Sequence, residues 1–131
     1  MFHSSTAEML SYWRTLKGEA LAPARADVNP VDFRQVLSQV FMLGRQAPGD
    51  YRFRLAGGLL SELHGQTLRG EDILPLWCED DRLQIKKALE GVARTAEPIV
   101  ITAIAEAGSH MIRLEVLLAP LFDPSEKDEE E

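Results

Sequence analysis

The sequence predicts an α+β fold, in which an antiparallel sheet is built from two hairpins and helices lie before and between them. Three observations support this prediction. Strand-like segments occur in two neighbouring pairs, helical patterns fill the interval between the pairs, and a helical pattern with an apolar stripe precedes them. The length of 131 residues fits one domain. We expect that domain over residues 19–122, after an amphipathic helix over 1–18 and before an acidic, disordered tail over 123–131.

The N-terminal helix is predicted from its caps and its apolar spacing. Ser5 or Thr6 suits the N-cap, and Gly18 is a natural stop. The apolar side chains that share one helical face are Met9, Tyr12, Trp13 and Leu16. Aromatic residues beside a basic one are common at interfaces, so we predict this stripe as an interface with a partner or a second copy. The alternative is that the stripe packs on the chain's own sheet.

Three further helices are expected inside the domain. Asn29 and Pro30 form a favourable start, because Asn caps the helix and Pro needs no amide hydrogen at the first position. Residues 79–95 carry acids at the start, basic residues further on and apolar residues at helical spacing. A short helix between these two is closed by Gly65.

Four segments have strand character. Residues 40–43 are apolar, residues 51–56 alternate strictly, and a turn-forming Ala-Pro-Gly-Asp sequence joins them. Residues 99–104 are largely β-branched and are followed by a second strand over 110–118. In the first hairpin the alternation predicts a buried face with Tyr51, Phe53 and Leu55 and a solvated face with Arg52 and Arg54.

Composition and charge exclude several classes of protein. The net charge is -7, and no basic stripe typical of a nucleic-acid-binding domain is present. Cys78 is the only cysteine, which excludes an intramolecular disulfide and fits a reducing cytoplasm. No apolar run is long enough to span a bilayer, and the first residues do not form a secretory signal. We therefore expect a cytoplasmic protein that neither binds nucleic acid nor inserts into a membrane.

Short motifs in a fixed order resemble a bacterial PAS-type family long described only as a domain of unknown function. The resemblance runs over about residues 11–121. The motifs that carry it are YWR at 12–14, Pro23, DVNP at 27–30, DYRFRLAG at 50–57, GQTLRG at 65–70, LW at 76–77 and DR at 81–82.

The resemblance implies a cytoplasmic signalling or adaptor domain, often encoded without an attached output domain. PAS domains bind small ligands between sheet and helices, or associate through the sheet and the N-terminal helix. Their sheet has five strands, and the fifth lies between the first and the fourth. This sequence provides four recognisable strands, so the fifth is missing or diverged, which would leave hydrogen-bonding edges unpaired. An element swapped from a second chain could fill that gap.

No cofactor, metal site or catalytic constellation is predicted. A haem needs an axial ligand, but the helix over 79–95, where haem-binding PAS domains usually carry it, contains none of the histidines His3, His64 and His110. The surroundings of Cys78 do not match a flavin photoreceptor motif. No arrangement of a nucleophile with a base is visible, so we predict that the chain is not an enzyme.

The remaining candidate site is an apolar pocket. PAS-like packing would bring together Phe53, Leu55, Leu63, Ile73, Trp77, Ile85, Leu89, Ile112 and Leu114. These residues either line a ligand pocket or fill a core, and few polar groups point inward to bind a ligand. We therefore predict a sensory adaptor that acts by protein–protein association, possible dimerisation included. The alternatives are a sensor of a small apolar molecule and, more distantly, an enzyme.

Overall fold

The computed structural model of the chain describes residues 3–47, 49–107 and 109–123. The α-helices are α1 (Ser4–Lys17), α2 (Gly58–His64) and α3 (Arg82–Thr95). The strands are β1 (Phe41–Ala47), β2 (Asp50–Ala56), β3 (Ile99–Ala107) and β4 (His110–Leu118). Short 3₁₀ helices cover Arg25–Asp27, Pro30–Gln39, Leu74–Leu76 and Glu79–Asp81. The α+β class and the N-terminal helix are confirmed.

The helix starts follow local chemistry. α1 is capped by His3, whose ring nitrogen Nδ1 accepts the backbone N–H of Ser5 at 3.2 Å, so neither Ser5 nor Thr6 is the cap. The side-chain oxygen of Asn29 accepts the backbone N–H of Val31 at 3.1 Å, as the Asn-Pro start predicts. The segment that follows is 3₁₀ rather than α-helical, and its backbone leaves helical geometry at Phe33.

The first hairpin contains a bulge that changes which side chains are buried. β1 pairs with β2, and the register passes from Met42 opposite Leu55 to Leu43 opposite Phe53, so Arg54 has no opposite residue. Tyr51 and Phe53 are buried, whereas Leu55 is 36% exposed. The prediction that Leu55 shares the buried face is therefore wrong, because the extra residue interrupts the alternation before it.

The outer edge of β2 is covered by the chain that follows α2. The backbone N–H of Phe53 donates to the carbonyl oxygen of Glu71, and the carbonyl oxygen of Phe53 accepts from Gly70. Ile73 donates to the carbonyl oxygen of Tyr51 at 3.0 Å. β2 therefore has partners on both sides, whereas β1 has a strand partner on one side within the part of the chain that the structure describes.

The second hairpin pairs β3 with β4 in an uninterrupted register from Ile99 opposite Leu118 to Ala107 opposite His110. Among the described residues, the strands form two two-stranded sheets, and no strand pairing joins one hairpin to the other. The buried core lies where the hairpins meet α3 and the segment before it. Its members are Tyr51, Phe53, Leu68, Ile73, Ile85, Leu89, Val92 and Leu118.

Residues 119–123, which we call the C-terminal strap, tie distant parts of the chain together. The indole N–H of Trp13 donates to the carbonyl oxygen of Pro120 at 2.8 Å. Phe122 exchanges backbone hydrogen bonds with Pro23 and Arg25, each at 2.8 Å. The strap therefore holds α1 and the connector after it against the end of β4.

Asp123 ends the strap inside the fold. Its Oδ2 atom accepts hydrogen bonds from Arg25 Nε at 2.7 Å and from Arg54 Nη1 at 2.8 Å, and the residue is 8% exposed. The predicted acidic tail therefore begins too early at Asp123, because this carboxylate is paired and buried rather than solvated. Residues 124–131 of that predicted tail lie outside the described residues.

Candidate functional site

A cavity of about 430 Å³ lies between β1 and β4, and we call it the slot. Residues 40–43 form one wall, and residues 114–118 form the opposite wall. Both walls belong to strands that have a single hydrogen-bonded strand neighbour within the described parts of the chain. The slot is therefore bounded by two strands that do not pair with each other.

The slot reaches both faces of the second hairpin. α1 lies on one face, where the backbone N–H of His3 donates to Glu115 Oε1 at 2.7 Å. α3 lies on the other face, because Val116 packs against the core that contains Leu89. Both helices contribute apolar side chains to the lining, among them Met9 and Leu89. Because side chains from both sides of the hairpin line the slot, the slot occupies the position that a strand between β1 and β4 would take.

The hydrogen bond at the start of α1 also sets the ionisation of Glu115. The backbone N–H of His3 holds the pKa of the Glu115 carboxyl below its usual range, and the Thr6 hydroxyl acts in the same direction. The carboxylate therefore stabilises the start of α1, where an anion also suits the helix dipole.

The predicted interface stripe of α1 points into its own chain. Met9, Tyr12, Trp13 and Leu16 all line the slot. Trp13 is 7% exposed, and the Tyr12 ring meets Phe33 edge-on with centroids 5.3 Å apart. The Tyr12 hydroxyl donates to Asp32, and burial raises the pKa of this phenol. Trp13 is therefore buried within its own chain, whereas Met9, Tyr12 and Leu16 are half-buried.

The predicted pocket residues are divided between two places. Leu55, Leu63, Leu89 and Leu114 line the slot. Phe53, Ile73 and Ile85 lie in the filled core, as Leu89 also does, and Trp77 packs against that core.

Ile112 belongs to neither place, because it lies on the outer half of the second hairpin and is 40% exposed. The structure therefore does not bring the predicted set together as one pocket. Two features separate these residues. The bulge at Arg54 changes the direction of Leu55, and the second hairpin extends past the core at Ile112.

An arginine cluster lies at the strap end of the slot. Arg25, Arg45 and Asp123 line the slot, and Arg54 binds Asp123 from β2. The Arg54 guanidinium lies over Gly44, where a side chain would collide with it. Sequence reasoning placed Arg54 on a solvated face and missed this cluster. The available signal was a glycine inside an apolar strand, which often marks a close approach by another group.

The other residues weighed in the sequence lie away from the slot. His64 is the exposed last residue of α2, and Cys78 is also exposed. Within the part of the chain that the structure describes, no group of three or more His, Cys, Asp or Glu side chains is arranged to hold a metal ion. A search of the same residues finds no helix with the length and apolar character needed to cross a membrane.

Comparison with known families identifies the class of the protein. A family model described as PAS domain matches residues 1–130. The chain belongs to the PAS domain family, which confirms the resemblance found in the sequence. No curated protein and no solved structure gives a significant match. Membership indicates a sensory or signalling module in general. The slot lies between the first and fourth strands, where the family resemblance leads us to expect the fifth strand.

Proposed function

We propose that this PAS domain signals by associating with another polypeptide, which adds an extended strand in the slot. The observation that carries this proposal is the pair of strand edges, on β1 and β4, that face each other across an apolar cavity. Exposed strand edges present rows of N–H and C=O groups that readily pair with a further strand. A single inserted strand would pair with both edges and join the two hairpins into one sheet.

α1 is the element whose position would change when such a strand binds. It covers the slot from one face and is held there by the bonds of His3 to Glu115 and of Trp13 to Pro120. A strand that pairs with β4 must share space with the α1 side chains that line the slot. Binding would therefore shift the position of α1, provided that the partner prefers the shifted arrangement over the one described.

A second copy of the chain is the simplest partner for this association. Point-group dimers are the commonest assemblies of soluble proteins, and an exchanged element is a low-cost route to them. No catalytic step is part of the proposal.

The second candidate function is the sensing of a small apolar molecule in the slot. The cavity volume of about 430 Å³ falls within the range of ligand pockets, and most of the lining side chains are apolar. In that case the ligand would occupy the space beneath α1, and the same helix would respond.

Native mass spectrometry of freshly purified protein across a dilution series separates the two functions. Association predicts a ligand-free dimer, or a complex with a co-purifying polypeptide, that dissociates on dilution. Small-molecule sensing predicts a monomer that carries a few hundred daltons of extra mass. A bare monomer at every concentration, with no bound polypeptide, would contradict the proposed association.

A further inference from the structure

We propose that the C-terminal strap is a releasable latch. It holds residues 3–28, which are α1 and the connector after it and which we call the lid, over the slot. When the strap detaches, the lid moves away as one unit and the slot opens. The inference rests on the proposed function in one respect, because opening would admit the partner strand. The contacts that form the latch do not depend on what enters the slot.

The lid is separate from the main core. That core is formed by residues of β2, the segment over 68–73, α3 and the end of β4, where Leu118 is its last member. Leu10 and Trp13, which are the buried apolar residues of α1, lie outside it. Segments that contribute little to a core open locally at a lower free energy than the whole fold. The lid can therefore separate while the core remains folded.

The strap joins the lid through hydrogen bonds that lie close together in the sequence. The carbonyl oxygen of Pro120 accepts the indole N–H of Trp13 at 2.8 Å. Two positions further on, Phe122 donates to the carbonyl oxygen of Pro23 and accepts the backbone N–H of Arg25, each at 2.8 Å. Because these bonds involve neighbouring residues of one short segment, a displacement of the strap breaks them together.

Asp123 fixes the strap to the lid and to the folded body at once. Its Oδ2 atom accepts Arg25 Nε at 2.7 Å from the lid and Arg54 Nη1 at 2.8 Å from β2. The residue is buried, and hydrogen bonds between charged groups are roughly twice as strong as those between neutral ones. The negative charge of Asp123 is therefore the feature that sets the latch.

Two further polar contacts hold α1, and both lie at exposed positions. The backbone N–H of His3 donates to Glu115, and the Tyr12 hydroxyl donates to Asp32. Water competes for exposed groups, so such bonds contribute little to the closed arrangement.

The strap also closes one end of the slot. The strap residues that line the slot are Ala119, Pro120, Leu121 and Asp123. Release of the latch therefore removes the end wall of the slot together with the helix that covers one of its faces.

Hydrogen exchange followed by mass spectrometry on the full chain tests the latch. In Asp123→Asn we expect the amides of α1 to exchange about tenfold faster than in the parent chain, while those of α3 keep their rates. Asp50→Asn removes a carboxylate that pairs with Arg52 at the surface, and it should change neither helix. Unchanged exchange in α1 would overturn the latch. Equal acceleration of α1 and α3 would also overturn it, because the strap would then support only the whole fold.

A reversible cross-link makes the opposite change and does not depend on the folding of Asp123→Asn. Ala24 and Phe122 form a parallel backbone bridge, so cysteines at these positions lie within reach of a disulfide. The variant combines Ala24→Cys and Phe122→Cys with Cys78→Ser, which removes the native thiol. Oxidation should slow exchange in α1 about tenfold or more, and reduction with dithiothreitol should restore the parent rate. Equal rates in the oxidised and reduced protein would overturn the latch.

Native mass spectrometry of the same cross-linked variant separates the latch from the proposed association. If the reduced protein associates and the oxidised protein does not, the strap controls entry to the slot. If exchange in α1 responds as expected but neither form associates at any concentration, the latch stands and the proposed association fails. If both forms associate equally, the association stands and control of the slot by the strap is overturned.

Discussion

The indole N–H of Trp13 and the carbonyl oxygen of Pro120 are joined by a 2.8 Å hydrogen bond across 107 positions of the sequence. This bond fixes α1 to the strap that follows β4. Because both residues also line the slot, the attachment of α1 and the shape of the slot depend on the same contact.

The Trp13–Pro120 contact should contribute measurably to stability. Trp13→Phe keeps most of the apolar volume and removes the N–H donor, so the free energy of unfolding should fall by roughly 1 kcal/mol. Trp13→Ala also empties the space and should cost about 3–5 kcal/mol. Urea unfolding gives both values. Leu21→Ala, at a residue that is 81% exposed, is the control and should change stability by less than about 0.5 kcal/mol. A Trp13→Phe variant as stable as the parent chain would show that the hydrogen bond is dispensable.

Asp123 should be more important to stability than a surface acid. Asp123→Asn removes the negative charge that Arg25 and Arg54 both bind, so the free energy of unfolding should fall by about 2 kcal/mol. The matched control is Asp50→Asn, because Asp50 pairs with Arg52 at the surface, where such pairs contribute roughly 0–1 kcal/mol. Equal losses for the two variants would mean that the strap is not held by its terminal carboxylate.

A side chain at Gly44 should displace the Arg54 guanidinium. The Cβ atom of alanine at this position would overlap that group, and moving the group aside weakens its ion pair with Asp123, so Gly44→Ala should destabilise by roughly 1 kcal/mol. At Gly58, in the first turn of α2, a Cβ atom would meet nothing within 4 Å. Gly58→Ala should therefore be neutral or stabilise by up to about 1 kcal/mol. Thermal unfolding measures the change in stability of each variant. We expect Gly44→Ala to lower the melting temperature and Gly58→Ala to leave it unchanged or raise it.

Stability should depend on the ionisation of Glu115 in a defined direction. The folded state lowers the pKa of this carboxyl, so its contribution is complete above its usual value of 4.5 and is lost as the pH falls through the lower folded value. Glu115→Gln should therefore reduce the urea midpoint at pH 6–7, and the difference from the parent chain should shrink towards pH 3. Glu97→Gln, at an exposed position before β3, controls for the change in net charge. A difference that persists undiminished at pH 3 would contradict the assignment.

Local patterns in the sequence predicted most of the secondary structure. The capping bond of Asn29 was predicted correctly from the Asn-Pro pair. The apolar stripe of α1 was also identified correctly as one face of a helix. The sequence could not show that this face turns inward, because its partner Pro120 lies 107 positions away. For the same reason Arg54 was assigned to a solvated face, since its partner Asp123 is 69 positions distant. Local periodicity specifies which side chains share a face, but long-range contacts specify what that face meets.

The slot itself was only partly accessible to sequence reasoning. The count of four strands predicted unpaired edges, and in the described residues β1 and β4 each have one strand neighbour. The bulge at Arg54 was not predictable from strict alternation, so Leu55 was placed on the wrong face. Sequence reasoning ended the domain at Phe122, because Pro120 and the acidic residues from Asp123 onwards are typical of a chain end. In the fold those same residues supply a carbonyl acceptor and a buried carboxylate.

The buried position of Trp13 provides an optical reporter within the native sequence. The chain has two tryptophans, and the other, Trp77, packs against the core and does not line the slot. A Trp77→Phe variant would leave a single indole emitter in the wall of the slot. Displacement of α1 into water would shift its emission to longer wavelength, and a strand packed against it would quench or narrow the band. Occupancy of the slot could then be followed in real time without any attached dye.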